Sequence, residues 1–434
     1  MLFNQTLTYI SLFSGAGVGC YGLLEEGFEC VATNEILEKR LNIQRINRKC
    51  KLDESYISGD IKKPETKEKI LKQIGFYSKK FGNDRVDLVI ATPPCQGMSV
   101  ANHKKKNDEI KRNSLVIESV DLIKQIKPRF FILENVPSFY KTGCIDKNDN
   151  FLEIGSMIEQ NLSGDYMLYD EIINFKNFGA NSSRTRTLVI GVCKEFKDFT
   201  SALEFFPDFK QEKTLKEVIG SLKPLSWGEY DSADFYHSFR TYPKHMQEWI
   251  KDLKEGQSAF ENVQDAISDL AYLCSNEGAF ESDYLNPIQS SYQALMRKDS
   301  PKLYNHQATN HSQAALEKLK LINKEQGKEC LPKNLHGKQQ FKSTWGRLNW
   351  NKISPTIDTR FDTPSNGTNS HPELHRSITP REAARIQSFS DNYIFYGNKT
   401  SVCKQIGNAV PPLLALALGK AILKSARNDT NPSR

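Results

Sequence analysis

Short apolar runs alternate with amphipathic stretches to about residue 200. "LTYISLF" (7–13), "CVATN" (30–34), "VDLVIA" (86–91), "RFFILEN" (129–135) and "TLVIGV" (187–192) have the length and residue types of buried strands. Leu115, Leu122, Ile123 and Ile126 recur at helical spacing between two of them. Strands alternating with helices predict a parallel α/β sheet. From about 200 to 340 the alternation fades and Lys, Asn, Gln, Ser and Tyr dominate, which predicts a separate, smaller, loop-rich region. Near 410 a Pro-Pro pair opens "LLALALGKAILK", apolar nearly all round. Such a helix needs burial on several sides, so it is expected to return to the first domain. The tail "SARNDTNPSR" is expected to fray.

A chain of 434 residues exceeds one ordinary core, so two domains are expected, one of them discontinuous. Cys20, Cys30, Cys50, Cys95, Cys144, Cys193, Cys274, Cys330 and Cys403 stand singly, with no C-x-x-C pair. That disfavours a zinc cage or a disulfide framework and fits a reducing compartment. No apolar run approaches the ~20 residues of a membrane span. "MLFNQTLTYISLF" has no basic region ahead of its apolar stretch, so no secretion signal is read and a cytoplasmic location is expected. A net charge of +7 favours a polyanionic partner, although a mildly basic solvated surface accounts for it equally well.

"YISLFSGAGVGCYGLLEEGFE" runs strand, Gly-rich turn, helix, with Gly15, Gly17 and Gly19 crowding the turn. Glycines let backbone approach a ligand, and the following helix presents free N–H groups. A structural turn looks the same, but the acids add weight. Glu35 ends the next strand, 20 residues after Gly15, where a carboxylate can bind ribose hydroxyls. Asp60, in "SGDI", follows a third segment and can accept from an adenine amino group. The spacing is not the G-x-G-x-x-G of nicotinamide enzymes, and no phosphate-specific device is present. An adenosine ligand without phosphates fits, S-adenosylmethionine being the obvious one.

Cys95 follows the strand "VDLVIA", and in open α/β sheets the ligand crevice lies at the carboxyl ends of the strands. Pro93 and Pro94 fix the backbone just before it. A free Cys is commonly a small buried hydrophobe. Here polar, flexible sequence follows: "QGMSVANHKKKNDEIKRN" offers Lys104, Lys105, Lys106, Lys111 and Arg112 for phosphates. A rigid nucleophile beside a basic loop points to chemistry on a nucleic acid. Glu134 ends the next strand and can serve as acid or base. Arg184 and Arg186, in "NSSRTRTLVIG", alternate and are expected on one face, where they can grip a phosphate or a base carbonyl. Each of the three also has a plain reading as an ion-pair member.

Together these stretches resemble the bacterial C5-cytosine DNA methyltransferases over residues 7–196 and 341–425. "FSGAGVG" looks like the family's cofactor loop, which carries Phe13, Ser14, Gly15, Ala16, Gly17 and Gly19 over as cofactor contacts, Phe13 stacking near the adenine. Glu35 and Ile36, then Asp60 and Ile61, match its ribose and adenine contacts, joined by Pro93 and by Leu115 in "RNSLVIE". "PPCQGMS" matches the nucleophile motif and "ENV" the acidic partner. "SPTIDTR" (354–360), "HPELHRSITPREAARIQSFSD" (371–391) and "QIGNAVPP" (405–412) match the closing motifs, with Asn408, Ala409 and Val410 facing the cofactor. The resemblance makes His371 and His375 structural rather than metal ligands. The family's Arg-x-Arg motif begins Pro-Gln; Asn181 and Ser182 stand there instead, which bears on DNA contacts near Ser182.

The resemblance implies a Rossmann-like, S-adenosylmethionine-dependent sheet with a smaller DNA-recognition domain. It divides the chain into a catalytic and cofactor-binding domain (1–200), a target-recognition domain (201–345), closing motifs linking the two (346–395), a returning segment (396–426) and a tail (427–434). It implies Cys95 as nucleophile, Glu134 as its acidic partner and Arg184 and Arg186 beside them. Gln96, Ser99, Lys104, Lys105, Lys106 and Arg112 are the DNA contacts. The implied partner is double-stranded DNA, with a restriction endonuclease acting separately; the protein is a monomer off the membrane and no metal is needed. The alternatives are an RNA C5-methyltransferase, a catalytically silent DNA-binding module and, weakened by the glycine spacing, a nicotinamide dehydrogenase.

Overall fold

The computed structural model describes residues 6–82, 85–94, 113–195, 262–323, 326–336 and 343–428. They fall into two compact units. Unit 1 is Met1–Asn174, Thr185–Leu215 and Ala415–Arg434; unit 2 is Phe175–Arg184 and Lys216–Leu414.

Unit 1 is built on one sheet of seven strands. Along the chain come β1 (Thr8–Leu12), α1 (Tyr21–Glu25), β2 (Glu29–Glu35), α2 (Glu38–Ile46), β3 (Tyr56–Ser58), α3 (Pro64–Phe81) and β4 (Leu88–Ala91). Then follow α4 (Val116–Ile126), β5 (Phe130–Asn135), a small hairpin of β6 (Gly143–Ile145) and β7 (Phe151–Glu153), α5 (Ile154–Leu162), β8 (Tyr166–Asn174) and β9 (Thr185–Cys193). The sheet order is β3-β2-β1-β4-β5-β9-β8. β1 has β2 on one side and β4 on the other, all parallel, so the winding reverses at β1 and opens a crevice at the strands' carboxyl ends.

The sheet is not parallel throughout, as the apolar runs predict. β9 runs antiparallel to β5, and β8 antiparallel to β9. A parallel return needs a crossover of roughly a dozen or more residues. Only residues 175–184 separate β8 from β9, holding one 3-10 turn, Phe175–Phe178.

Strand side chains explain why the sheet forms. Ile10, Val31, Val89, Phe131 and Val189 are buried against Ile70 and Tyr77 of α3 and Val116, Val120 and Ile123 of α4. Each fully buried side chain of this kind contributes about 1.5–3 kcal/mol. Gly191 of β9 is required by this packing: a Cβ there would stand 1.9 Å from the Phe131 ring.

Unit 2 carries α6 (Val263–Ile267), the antiparallel pair β10 (Gly278–Ser282) and β11 (Leu303–Gln307), α7 (Ser291–Arg297), α8 (Gln313–Leu321), α9 (Pro380–Ile386) and α10 (Lys399–Gly407). Its centre is charged. Arg376 binds Glu382 through both oxygens, each at 2.8 Å, and Arg385 reaches Asp391 at 2.9 and 2.6 Å as well as Asp269. Arg381 donates to the carbonyls of Tyr304, Ser390 and Tyr393 at 2.7–3.1 Å. All three guanidinium groups are fully buried.

α11 (Pro412–Asn428) starts in unit 2 and continues through unit 1. There a Cβ at Gly419 would lie 3.3–3.4 Å from Leu23 and Glu26, so this helix packs closely on the α1 region, as its all-round apolarity predicts. Among the described residues no single helix is long and apolar enough to cross a membrane.

Candidate active site

A continuous set of hydrogen bonds links the carboxyl ends of the five parallel strands. Asn34 at the end of β2 donates to the carbonyls of Ile57 in β3 (3.0 Å) and of Gly59 just beyond it (3.2 Å). The carbonyl of Asn34 accepts from the backbone and hydroxyl of Ser14 after β1 (3.0 and 3.1 Å). Thr92 after β4 donates its hydroxyl to the carbonyl of Phe13 at 3.1 Å. Asn135 at the end of β5 donates to the carbonyl of Pro93 at 3.0 Å. Each loop is tied to its neighbour, so the crevice has a defined floor.

The glycine loop forms one wall. Phe13 (φ 53°), Gly15 (φ 55°) and Gly17 (φ 87°) all have left-handed backbone, and a Cβ on Gly15 would meet nothing within 4 Å. Glu35 is 5% exposed; one carboxylate oxygen accepts from the Gly15 N–H at 2.9 Å and the other from the Leu37 N–H at 3.1 Å. Each oxygen keeps a second lone pair for a hydroxyl. Ile36 beside it is 60% exposed, an apolar face presented to solvent. Asp60 is half-buried and accepts from the Lys62 N–H at 3.0 Å. An open glycine, a carboxylate with spare acceptors and a bare aliphatic face fit an adenosine ligand. Ile61, by contrast, is 3% exposed and belongs to the hydrophobic core, so it supports the corner from beneath. Ser14, Ala16 and Gly17 are buried, while Gly19 is half-buried in the turn Val18–Cys20.

Glu134 is 9% exposed at the end of β5, and Arg186 on antiparallel β9 places its Nε 3.0 Å from the Glu134 carboxylate. Register explains the meeting, because Glu134 pairs with Leu188 and Asn135 with Thr187 at the start of β9. Arg184 precedes β9, is buried in unit 2, and donates to the carbonyls of Ile357 (3.2 Å) and Gly407. β9 begins at Thr185, one residue after Arg184.

Cys95, Gln96, Ser99, Lys104, Lys105, Lys106 and Arg112 lie outside the described residues. The chain enters that stretch through buried Pro93, whose carbonyl Asn135 holds. Leu115 is the half-buried N-cap of α4. Asn408 is the exposed C-cap of α10, followed by buried Ala409 and Val410. Asn181 and Ser182 are fully buried; Ser182 bridges to Ser354, and the Asn181 side chain accepts from the Ser354 N–H at 3.4 Å. Ser182 is thus a packing residue within unit 2, not an exposed one. His371 accepts from the Glu373 and Leu374 N–H groups (3.2 and 3.1 Å), and burial pushes its pKa down to about 4. His375 meets the Arg347 guanidinium at 2.9 Å.

Asn34, Thr92 and Asn135 do not stand out in the sequence. Their signal is a polar residue at the carboxyl end of an apolar run, visible in "CVATN", "VDLVIATPP" and "FILENVP".

The sheet and its crevice match known proteins. The family model for C-5 cytosine-specific DNA methylases matches residues 7–424. The type II methyltransferase M.DdeI of Desulfomicrobium norvegicum is 30% identical over 78% of this chain and 72% of its own length. The type II methyltransferase M1.HphI of Haemophilus parahaemolyticus is 26% identical over 99% of this chain and 90% of its own. A solved DNA modification methyltransferase encoded within an E. coli prophage has the same fold, with a TM-score of 0.63 at 22% identity, covering 97% of this chain and 100% of that one. This chain belongs to the C-5 cytosine-specific DNA methylase family.

Proposed function

We propose that the protein methylates C5 of a cytosine flipped out of a specific duplex DNA site, with Cys95 as nucleophile and Glu134 as its acid partner. Bound S-adenosylmethionine supplies an electrophilic methyl group. Phe13–Gly17, Glu35, Ile36 and Asp60 hold it, with Pro93 and Leu115 beside them. The Cys95 thiolate adds to C6 of the ring, which makes C5 nucleophilic. Glu134, in its protonated form, donates its proton to N3 as negative charge develops there, and its other oxygen accepts from the exocyclic amine. Arg186 orients Glu134 and holds the O2 side. Removal of the C5 proton then expels Cys95. Lys104, Lys105, Lys106 and Arg112, with Gln96 and Ser99, hold the DNA over the site.

The observation that carries this reading is the Glu134–Arg186 pair at 3.0 Å, at the strand end next to the Pro93 carbonyl that Asn135 holds. A carboxyl group oriented by a guanidinium at this strand end is placed to hydrogen-bond the ring nitrogen and the exocyclic amine of a cytosine that the Cys95 thiol attacks. Residues 201–345 read the bases, since groove recognition needs donors and acceptors mounted apart from the chemistry. The type II names of the relatives support a modification role beside a separately acting endonuclease. A monomer in the cytoplasm fits this work.

The test is conversion-based sequencing of DNA from a host free of cytosine methylation. Expression is expected to protect one cytosine in a short motif, and Cys95→Ser to abolish the protection. Label from tritiated cofactor entering RNA, with DNA unmarked, would replace this reading with the RNA one.

A further inference from the structure

Beneath the glycine loop lies a polar side chain that the sequence does not single out. Gln44, on α2, is 1% exposed. Its amide nitrogen donates to the carbonyl of Gly15 and to the hydroxyl of Ser14, both at 2.7 Å. Its oxygen accepts from the Thr33 hydroxyl at 2.8 Å. Thr33 in turn accepts from the buried ammonium of Lys49 at 2.9 Å. The direction of this chain is forced. An ammonium only donates, so the Thr33 hydroxyl hydrogen is free for Gln44; a carbonyl only accepts, so the Gln44 NH2 must face Gly15.

Gly15 is therefore clamped at both ends: Glu35 takes its N–H, and Gln44 holds its carbonyl. The space left open at Gly15 lies between these two ties. Gln44 also lies against Gly17, where a Cβ would come within 2.8 Å of its side chain. A left-handed glycine has many alternative conformations, and holding both of its peptide groups removes them before a ligand arrives.

We propose that Gln44 is a positioning residue for the methyl donor, fixing the Ser14–Gly15 backbone through a relay that begins at Lys49 and Thr33. The proposal rests on the reading of Phe13–Gly17 as the cofactor loop. Gln44 touches no reacting atom; it acts through the loop.

The test compares Gln44→Met, which keeps length and volume but removes the donors, with wild type and Glu35→Ala. Affinity for S-adenosylhomocysteine is measured by calorimetry, steady-state kinetics on DNA under varied cofactor, and melting without cofactor. Gln44→Met is expected to bind about tenfold more weakly, as for lost buried hydrogen bonds, and to raise KM for the cofactor with kcat and KM for DNA unchanged. Thr33→Val, which removes the hydroxyl that orients the amide, is expected to shift the same parameter a few-fold and is the deciding variant if Gln44→Met does not fold. Wild-type affinity in Gln44→Met, or in Thr33→Val where that decides, overturns the proposal. So does a fall in kcat that tracks a lowered melting temperature, which marks a purely structural role. If neither wild type nor any variant binds S-adenosylhomocysteine, the cofactor reading itself fails. If wild type binds and Glu35→Ala does not, that reading stands and Gln44 is judged alone.

Discussion

Both units bury apolar side chains, and unit 2 adds to them a cluster of fully buried ion pairs. Unit 1 buries aliphatic and aromatic side chains on a sheet, with Phe130, Phe131, Ile132 and Leu133 of β5 all at 0–1% exposure. Unit 2 buries charge: Arg376, Arg381 and Arg385 are its largest fully buried side chains, met by Glu382, Asp391 and Asp269. Arg347 adds a further buried guanidinium, donating to the carbonyls of Leu319, Ile322, His371 and Leu374 at 2.6–2.9 Å. An apolar core tolerates imprecise partners, because the hydrophobic effect has no direction. A buried ion lattice does not, since every charge needs its own partner at its own angle.

The sharpest break of this contrast is Arg385→Met. It removes the guanidinium that Asp269 and Asp391 share; Arg297 still meets Asp269 at 2.6 Å and Arg381 lies 3.6 Å from Asp391, so the expected loss is about 3 kcal/mol, the lower end for breaking a buried pair. Hydrogen exchange is expected to accelerate across α6 and α9 while the glycine loop keeps its protection and its affinity for S-adenosylhomocysteine. Equal acceleration in β1 and β5 would show that the two cores do not differ in this way.

The matching break in unit 1 is steric. Gly191→Ala drives a methyl into the Phe131 ring and is expected to cost about 1–3 kcal/mol, read as earlier denaturant unfolding of the sheet. An unchanged midpoint would mean that β9 and β5 have room that their packing denies.

A smaller effect comes from pH. Burial pushes the pKa of His371, and of His311, down to about 4, from about 6.5 in the unfolded chain. Their acceptor roles agree: His371 takes two backbone N–H bonds and His311 takes the Ser377 N–H at 3.0 Å. Between pH 6.5 and 4 the unfolded state binds protons that the folded state refuses. Their contribution is complete above about 6.5, declines as pH falls through this window and levels off near 4. Unit 1 has one histidine, His103, which lies outside the described residues. Melting that follows unit 2 should show this slope, and His371→Asn should reduce it.

The contrast also decides what could be read from the sequence. Five apolar runs correspond to β1, β2, β4, β5 and β9, because strands buried on both faces are apolar without interruption. β3 is three residues long, and β8 is an edge strand with Asp170 and Ile172 exposed, so neither leaves such a run. The direction of β9 is set by the length of its connection, which residue types do not reveal. Unit 2 is nearly opaque because many of its buried groups are charged. Arg376, Arg381, Arg385 and Glu382 look like surface residues until Leu273, Tyr304, Asp269 and Asp391 are brought to them. In the site, Glu35 and Glu134 are legible because each ends an apolar run. Gln44 is not, because α2 is polar along most of its length and nothing local distinguishes the one buried amide.

In the proposed reaction Cys95 attacks cytosine while Glu134 supports the ring. The most direct measurement uses duplex DNA carrying 5-fluorocytosine at the cytosine that sequencing identifies, incubated with protein and S-adenosylmethionine, then denatured and digested for mass spectrometry. Fluorine at C5 cannot leave as a proton, so the adduct should persist. A covalent complex is expected whose peptide joins the base at Cys95, absent in Cys95→Ser. No stable complex from active wild-type protein, or a linkage at any other residue, would contradict it.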